Sequence, residues 1–197
     1  MLAICTGVLF EAFLSGAYGS QISGLMANIW IARDYAACSG CKRCEIACSM
    51  KHEGWIWPEA SRIRIFMPFP GLEVPHLCAQ CVDYPCVGSC PVQALSTDLN
   101  TKAVLVDREK CTSCGACINA CPGNVPILHP GDNKATICNL CSGDPECVKV
   151  CKEAGYNALM LVDEGPTINR KLFSRHPIEV AKELAVYFFG EKGEEVI

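Results

Sequence analysis

Sixteen of the seventeen cysteines in this chain fall into four runs of four. Cys38, Cys41, Cys44 and Cys48 form the first run, and Cys78, Cys81, Cys86 and Cys90 the second. Cys111, Cys114, Cys117 and Cys121 form the third, and Cys138, Cys141, Cys147 and Cys151 the fourth; only Cys5 stands apart. Four quartets of one kind are an internal repeat, and what is repeated is a set of soft sulfur donors. Such donors either bind metal or oxidise, and the spacing discriminates. Zinc calls for two Cys-x2-Cys pairs about 15–20 residues apart, or for histidine in the set. Here the cysteines come in fours, and none of the four histidines lies inside a quartet. Disulfides fit neither the tight i, i+3 spacing nor a reducing compartment.

Iron–sulfur chemistry does fit. The first and third runs have the Cys-x2-Cys-x2-Cys-x3-Cys spacing of bacterial ferredoxins, and the third adds the trailing Pro122. A tight loop with residues i, i+3 and i+6 turned inward presents three sulfurs to three irons of one 4Fe-4S cube. The fourth cysteine is expected at the start of a helix and, in two-cluster ferredoxins, ligates the other cluster. Pro91 and Pro122 suit the turn after Cys90 and Cys121, because proline fixes φ and removes a donor. The second and fourth runs lengthen the gap before the third cysteine, in "CVDYPC" and "CSGDPEC". Each insert carries a proline, Pro85 or Pro145, so the loop bulges while keeping its ligands.

The elements between the runs must position them. The 20 residues between Cys90 and Cys111 read as a short helix, a turn at Asp98–Lys102, a strand Ala103–Val106, and Asp107 leading into the next loop. This is the spacing of a compact two-cluster ferredoxin, so runs two and three are expected to form one module, with runs one and four pairing around it. The inner clusters then take Cys78, Cys81, Cys86 with Cys121, and Cys111, Cys114, Cys117 with Cys90. The outer ones take Cys38, Cys41, Cys44 with Cys151, and Cys138, Cys141, Cys147 with Cys48. Pairing run one with two and three with four is the rival, disfavoured by the 29 residues between Cys48 and Cys78. The expected fold is α+β and loop-rich, with two bacterial-ferredoxin-like modules. The inner module, residues 75–132, is inserted in the outer one, residues 29–74 and 133–165. An apolar extension, residues 1–28, precedes them, and a C-terminal helix and tail, residues 166–197, follow.

The remaining features narrow the class. A formal net charge of −4 and a pI near 5.6 give no electrostatic footing for nucleic acid. Residues 1–32 are apolar without Lys or Arg, so they lack the basic region of a secretory signal. Glu11 and four glycines make them a poor membrane span, and Met26 reads as a natural start. A cytoplasmic location with reduced thiols is the expectation. Arg62 and Arg64 alternate with Ile63 and Ile65, a strand with one wet face. Lys42, Arg43, Lys51 and His52 surround the first run as a basic patch. Trp55 and Trp57 lie between the modules, and His76 lies near the second run. Near the C-terminus, Pro177 opens a helix that ends at Gly190, with Ile178, Ala181, Leu184, Ala185 and Phe188 on one face. No residue reads as a catalytic acid, base or nucleophile in a pocket.

From about Ile29 to Val162 the chain resembles the four-cluster iron–sulfur subunits of the dimethyl-sulfoxide-reductase and formate-dehydrogenase type. It is also similar to the small subunits that accompany tungsten aldehyde oxidoreductases and tungsten benzoyl-CoA reductases. "PHLCAQCVDYPCVGSCP" and "VDREKCTSCGACINACP" carry the likeness. The resemblance implies the nested pairing given above, four 4Fe-4S clusters, and no catalysis by the chain itself. It implies an electron relay to or from a tungsten- or molybdenum-pterin catalytic subunit, with a ferredoxin or further redox subunit as a second partner. A hydrogenase or carbon-monoxide dehydrogenase partner, or a free polyferredoxin, are the alternatives. The chain departs from the pattern at Ser49 and Lys152, where proline often follows the fourth cysteine, and at Gln80, a position often occupied by histidine.

Overall fold

The computed structural model describes residues 29–163, 170–195 and 197. The N-terminal extension, with Cys5 and Met26, lies outside the described residues. The fold is α+β, and the described residues form four two-stranded antiparallel ribbons, five α-helices and long loops. β1 (Ile29–Arg33) pairs with β8 (Leu159–Asp163), so that Ile29 faces Asp163 and Arg33 faces Leu159. β2 (Arg64–Phe69) and β3 (Leu72–His76) form a hairpin, as do β4 (Leu95–Thr97) and β5 (Val104–Val106), and β6 (Ile127–Leu128) and β7 (Ala135–Thr136).

The helices are α1 (Arg43–Glu53), α2 (Pro85–Gly88), α3 (Ala116–Ala120), α4 (Glu146–Glu153) and α5 (Pro177–Phe189). Pro85 opens α2, where a missing N–H costs nothing, and Pro145 is the cap residue before α4. The two inserted prolines therefore start helices.

The short helix expected after Cys90 is absent; β4 stands there instead. Leu95 is buried and Ser96 exposed, and across the ribbon Leu95 faces Val106 and Ser96 the exposed Leu105, so a period of two wins over local helix propensity. The turn between them falls at Asp98–Lys102 as expected. Asp98 Oδ1 accepts from Asn100 N, Thr101 N and Thr101 Oγ1, a side-chain-closed turn.

One apolar core runs through the molecule and mixes Ile31, Ile63, Ile65 and Leu159 with Leu77, Val104 and Leu140. A smaller core joins Leu72 and Val74 of β3 to Val180, Ala181 and Ala185 of α5. The C-terminal helix thus packs on the β2–β3 hairpin. Its limits match the sequence reading, with Pro177 in the first turn and Gly190 as the cap. Its buried face differs: Val180 is inside, while Ile178 and Phe188 are exposed. Burying the stripe with the small Ala181 and Ala185 lets helix and hairpin approach closely, which rotates the bulkier residues outward.

Candidate metal centres

Each cysteine loop is entered and shaped in a repeated way. Asp34, just after β1, accepts from Ala36 N and Ala37 N. Asp107, just after β5, accepts from Glu109 N and Lys110 N. Both aspartates stand four residues before the first cysteine of a run, so the same turn delivers the chain to Cys38 and to Cys111.

The residue before the second cysteine then adopts left-handed backbone in all four runs: Gly40 (φ 67°), Gln80 (φ 53°), Ser113 (φ 62°) and Leu140 (φ 55°). Only one of these is glycine, and the conformation costs an L-residue roughly 1–2 kcal/mol. At Gly40 a Cβ would also lie 2.7 Å from Glu73 Cγ. Four different residues in one strained conformation indicate a shared demand, namely that successive sulfurs turn to the same side.

The third cysteine is the second residue of its helix in every run: Cys44 in α1, Cys86 in α2, Cys117 in α3 and Cys147 in α4. This corrects the expectation that the fourth cysteine opens the helix. Cys48 and Cys151 lie inside α1 and α4, whereas Cys90 and Cys121 follow the ends of α2 and α3. With Ser49 and Lys152 in place of proline, the outer helices continue past the fourth cysteine.

The sulfurs gather by threes and ones. Burial raises the Cys38 thiol, and Cys151 and Cys41 act on it; burial also holds Cys44 up at about 12, with Cys38 and Cys41 among its neighbours. Cys38, Cys41, Cys44 and Cys151 line one small cavity. Burial raises Cys86 to about 11, with Cys121 and Cys81 contributing. Cys117 is raised by burial and feels Cys111, Cys114 and Cys90, with which it lines a second cavity. Cys147 lies well above its usual value through burial and the influence of Cys138, Cys48 and Cys141.

Other influences cross between the groups, and on Cys78 that of Cys138 exceeds those of Cys86 and Cys81. Cys44 acts on Cys147, Cys138 on Cys78, and Cys117 on Cys86. Taken in the order of these influences, the expected sets form a row: Cys38/41/44/151, then Cys138/141/147/48, then Cys78/81/86/121, then Cys111/114/117/90. The second cysteine of each end group, Cys41 and Cys114, is exposed, while Cys81 is buried and Cys141 half-buried.

The donor chemistry fits 4Fe-4S clusters. Buried thiols stay neutral unless a cation compensates their charge, and ferric and ferrous iron does so. Among the described residues no three His, Cys, Asp or Glu side chains converge tightly enough to hold a single metal ion. A four-iron cube needs its sulfurs farther apart. Backbone N–H groups already point at sulfur: Arg62 N to Cys48 (3.3 Å), Gln80 N to Cys78 (3.4 Å), Ala94 N to Cys90 (3.2 Å), Val125 N to Cys121 (3.5 Å) and Ala135 N to Cys111 (3.4 Å).

Side chains complete the surroundings. Gln80 is buried, donates from Nε2 to Cys138 O (2.9 Å) and accepts at Oε1 from Val104 N, so it ties two cysteine loops together. Ser174 Oγ lies 3.1 Å from Cys81 Sγ; 93 residues separate the pair, and no local pattern announces it. His52 belongs beside Cys141, its Nε2 3.7 Å from the sulfur, rather than to a patch on the first run. Burial, with Arg62 nearby, lowers its pKa to about 4, so the ring is neutral. Lys42 and Arg43 remain exposed at the first run. His76 is buried with its ring edge on Phe66. Trp57 meets His129 edge-on at 5.2 Å, and Trp55 is exposed. No helix among the described residues is long and apolar enough to cross a membrane.

Comparison with known proteins agrees with this chemistry. The 4Fe-4S dicluster domain family matches residues 71–164. The polyferredoxin-like subunit of the aliphatic sulfonate oxidoreductase of Pyrococcus furiosus is 52% identical over 164 residues, 83% of this chain and 95% of the relative. The thiosulfate reductase electron transfer subunit PhsB of Salmonella typhi is 33% identical over 135 residues, 60% of this chain and 68% of the relative. Among solved structures, the active site complex BamBC of benzoyl-coenzyme A reductase in complex with zinc aligns over 83% of this chain and 93% of its own, at 22% identity and a TM-score of 0.42.

Proposed function

Because the chain belongs to the family of 4Fe-4S polyferredoxin-like electron-transfer subunits of oxidoreductases, we propose that it holds four 4Fe-4S clusters and serves a tungsten- or molybdenum-pterin catalytic subunit. The chain itself is a non-catalytic subunit, as its relatives are. The ligand sets are Cys38, Cys41, Cys44 and Cys151; Cys138, Cys141, Cys147 and Cys48; Cys78, Cys81, Cys86 and Cys121; and Cys111, Cys114, Cys117 and Cys90. Runs two and three make an inner module, 75–132, within an outer one, 29–74 and 133–165. Bound there, the clusters would supply a one-electron relay between the two ends of the row.

The observation that supports this reading is that the fourth cysteine of one run lies beside the first three of another, Cys151 lining a cavity with Cys38, Cys41 and Cys44, and Cys90 one with Cys111, Cys114 and Cys117. Cys151 acts on Cys38, Cys48 on Cys147, and Cys121 on Cys86. The protein's own part is to fix the sulfurs, exclude water from the middle of the row and aim N–H groups at sulfur, which stabilises negative charge there. By relation to the Pyrococcus furiosus protein, the catalytic partner acts on an aliphatic sulfonate or a substrate of similar chemistry, in the cytoplasm.

The test is anaerobic purification of the native complex, with analysis of iron, tungsten and molybdenum and identification of the co-purifying chain. About sixteen iron per copy, with a second chain carrying tungsten or molybdenum, is the expected result. The same iron with neither metal and no second chain would leave a free polyferredoxin.

A further inference from the structure

Arg33, the last residue of β1, is 6% exposed. Its Nη1 donates to Phe173 O (2.5 Å) and its Nη2 to Leu77 O (2.6 Å), while Nε has no partner. The Phe173 ring lies 5.9 Å from the guanidinium carbon. None of the described carboxylates forms an ion pair with it. A guanidinium stays charged inside a protein, and burial works against that charge. Carbonyl oxygens and a ring face orient the group without neutralising it, and a buried charge left unpaired is strongly destabilising.

The acidic groups that act on Arg33 are Tyr35, a neutral phenol that also hydrogen-bonds it, and then Cys78 and Cys138. Those two sulfurs belong to different quartets, the two in the middle of the row. The backbone places the guanidinium at their seam, since Leu77 O directly precedes Cys78 and Gln80 ties the facing loop through Cys138 O. A second arginine adjoins one of these two sets. Arg62 donates its N–H to Cys48 Sγ, its charge acts on Cys138 and Cys141, and its Nε is buried without a partner.

The Cys38/41/44/151 end is charged the other way. Glu45 is buried, with Oε1 accepting from Ile65 N at 2.6 Å, and it acts on Cys44; Glu73 acts on Cys38. Lys42 and Arg43 beside them are exposed and screened by water and salt. At the opposite end Lys134 Nζ donates to Cys111 O at 2.6 Å.

We propose that Arg33 is the shared counter-charge of the two middle quartets and, with Arg62, makes them easier to reduce than the quartet bordered by Glu45 and Glu73. The inference rests on the reading that the quartets hold clusters. Reduction adds negative charge, so a desolvated cation beside a cluster favours the reduced form and a desolvated carboxylate opposes it. Clusters bound there would then favour an electron on the two middle sets over one on the Cys38/41/44/151 set.

The test is an EPR-monitored redox titration of the full chain in its native complex, with iron analysis, for wild type, R33Q, R33K, R62Q and E45Q. In R33Q two of the four midpoints should fall, each by at least a tenfold change in the reduction equilibrium, about 59 mV for one electron. R62Q should lower one midpoint, E45Q should raise a different one, and R33K should leave all four in place. Should R33Q not assemble, R62Q and E45Q decide the matter. Full iron with unmoved midpoints in both, or an equal shift of all four in any variant, would overturn the proposal and leave the four-cluster reading standing. Wild-type iron far below about sixteen per chain would remove that reading, and this inference with it.

Discussion

The helix carrying Cys44 runs for 11 residues and the one carrying Cys147 for 8, while those carrying Cys86 and Cys117 last 4 and 5. All four begin one residue before the third cysteine of a run, so the outer and inner pairs differ only in where they stop. Pro91 and Pro122 follow the fourth cysteine in the inner pair; Ser49 and Lys152 stand there in the outer pair. Proline cannot continue a helix, and where it is missing the helix proceeds. The extension has uses of its own. α1 and α4 pack against each other, and the buried Ser49 Oγ donates to Ile46 O while accepting from Trp57 N. A single position thus converts a ligand loop into a supporting helix.

The comparison can be broken hardest at a shared cysteine. In C48S the iron content should fall by about four per chain, and so should it in C121S, because each removes the completing sulfur of a group anchored in another run. A variant that lost eight would show that outer and inner groups assemble as one. Next in size is S49P, which places proline inside α1 and removes the contact to Trp57 N. It should destabilise the protein by about 3 kcal/mol or more, read by anaerobic denaturant unfolding, whereas P122A should change stability by less than about 1 kcal/mol.

A smaller effect sharpens the loop comparison. G40A must place a Cβ against Glu73 in left-handed backbone and should cost about 1–2 kcal/mol. S113G, at the matching position of the third run, should be neutral or stabilising by up to about 1 kcal/mol. Thermal unfolding of the two variants side by side would check the pair. The smallest effect belongs to α5. Arg175 pairs with Glu183 at 2.6 Å and holds its carboxyl below the usual range. A depressed carboxylate contributes stability above its unfolded pKa and loses it as pH falls through the folded one. The pair is largely exposed, so E183Q should cost about 0.2–1 kcal/mol near neutral pH and nothing below the folded pKa, as a pH series of melting curves would show.

Much of the site was legible because cysteine spacing is a local code. The quartets, the turn at Asp98–Lys102 and both ends of α5 follow from residues within a few positions of one another. What escaped the sequence depends on distant partners. Ser174 reaches Cys81 and Arg33 reaches Leu77 and Phe173 only through tertiary packing. The left-handed backbone at Gln80, Ser113 and Leu140 is imposed by the loop, since none of the three favours it. The strand β4 does not show in the sequence, where a short helix is expected, because Leu95–Thr97 is too short to display a period of two until β5 supplies a partner. The buried face of α5 was misjudged at Ile178 and Phe188 because close approach, set by Ala181 and Ala185, outweighs the size of the flanking side chains.

The pairing of β1 with β8 sets an order on how the protein can be made. Ile29 meets Asp163, and Arg33 meets Leu159, so nearly the whole cysteine-bearing chain must leave the ribosome before this ribbon closes. In the proposed ligand sets Cys38 likewise waits for Cys151, and Cys48 for Cys147. Residues 78–121 are complete much earlier, with both of their quartets already synthesised. With the proposed sets, the inner pair of sites would be ready for iron during translation before the outer thiols are complete, and Cys38, Cys41 and Cys44 would wait unprotected until Cys151 is made.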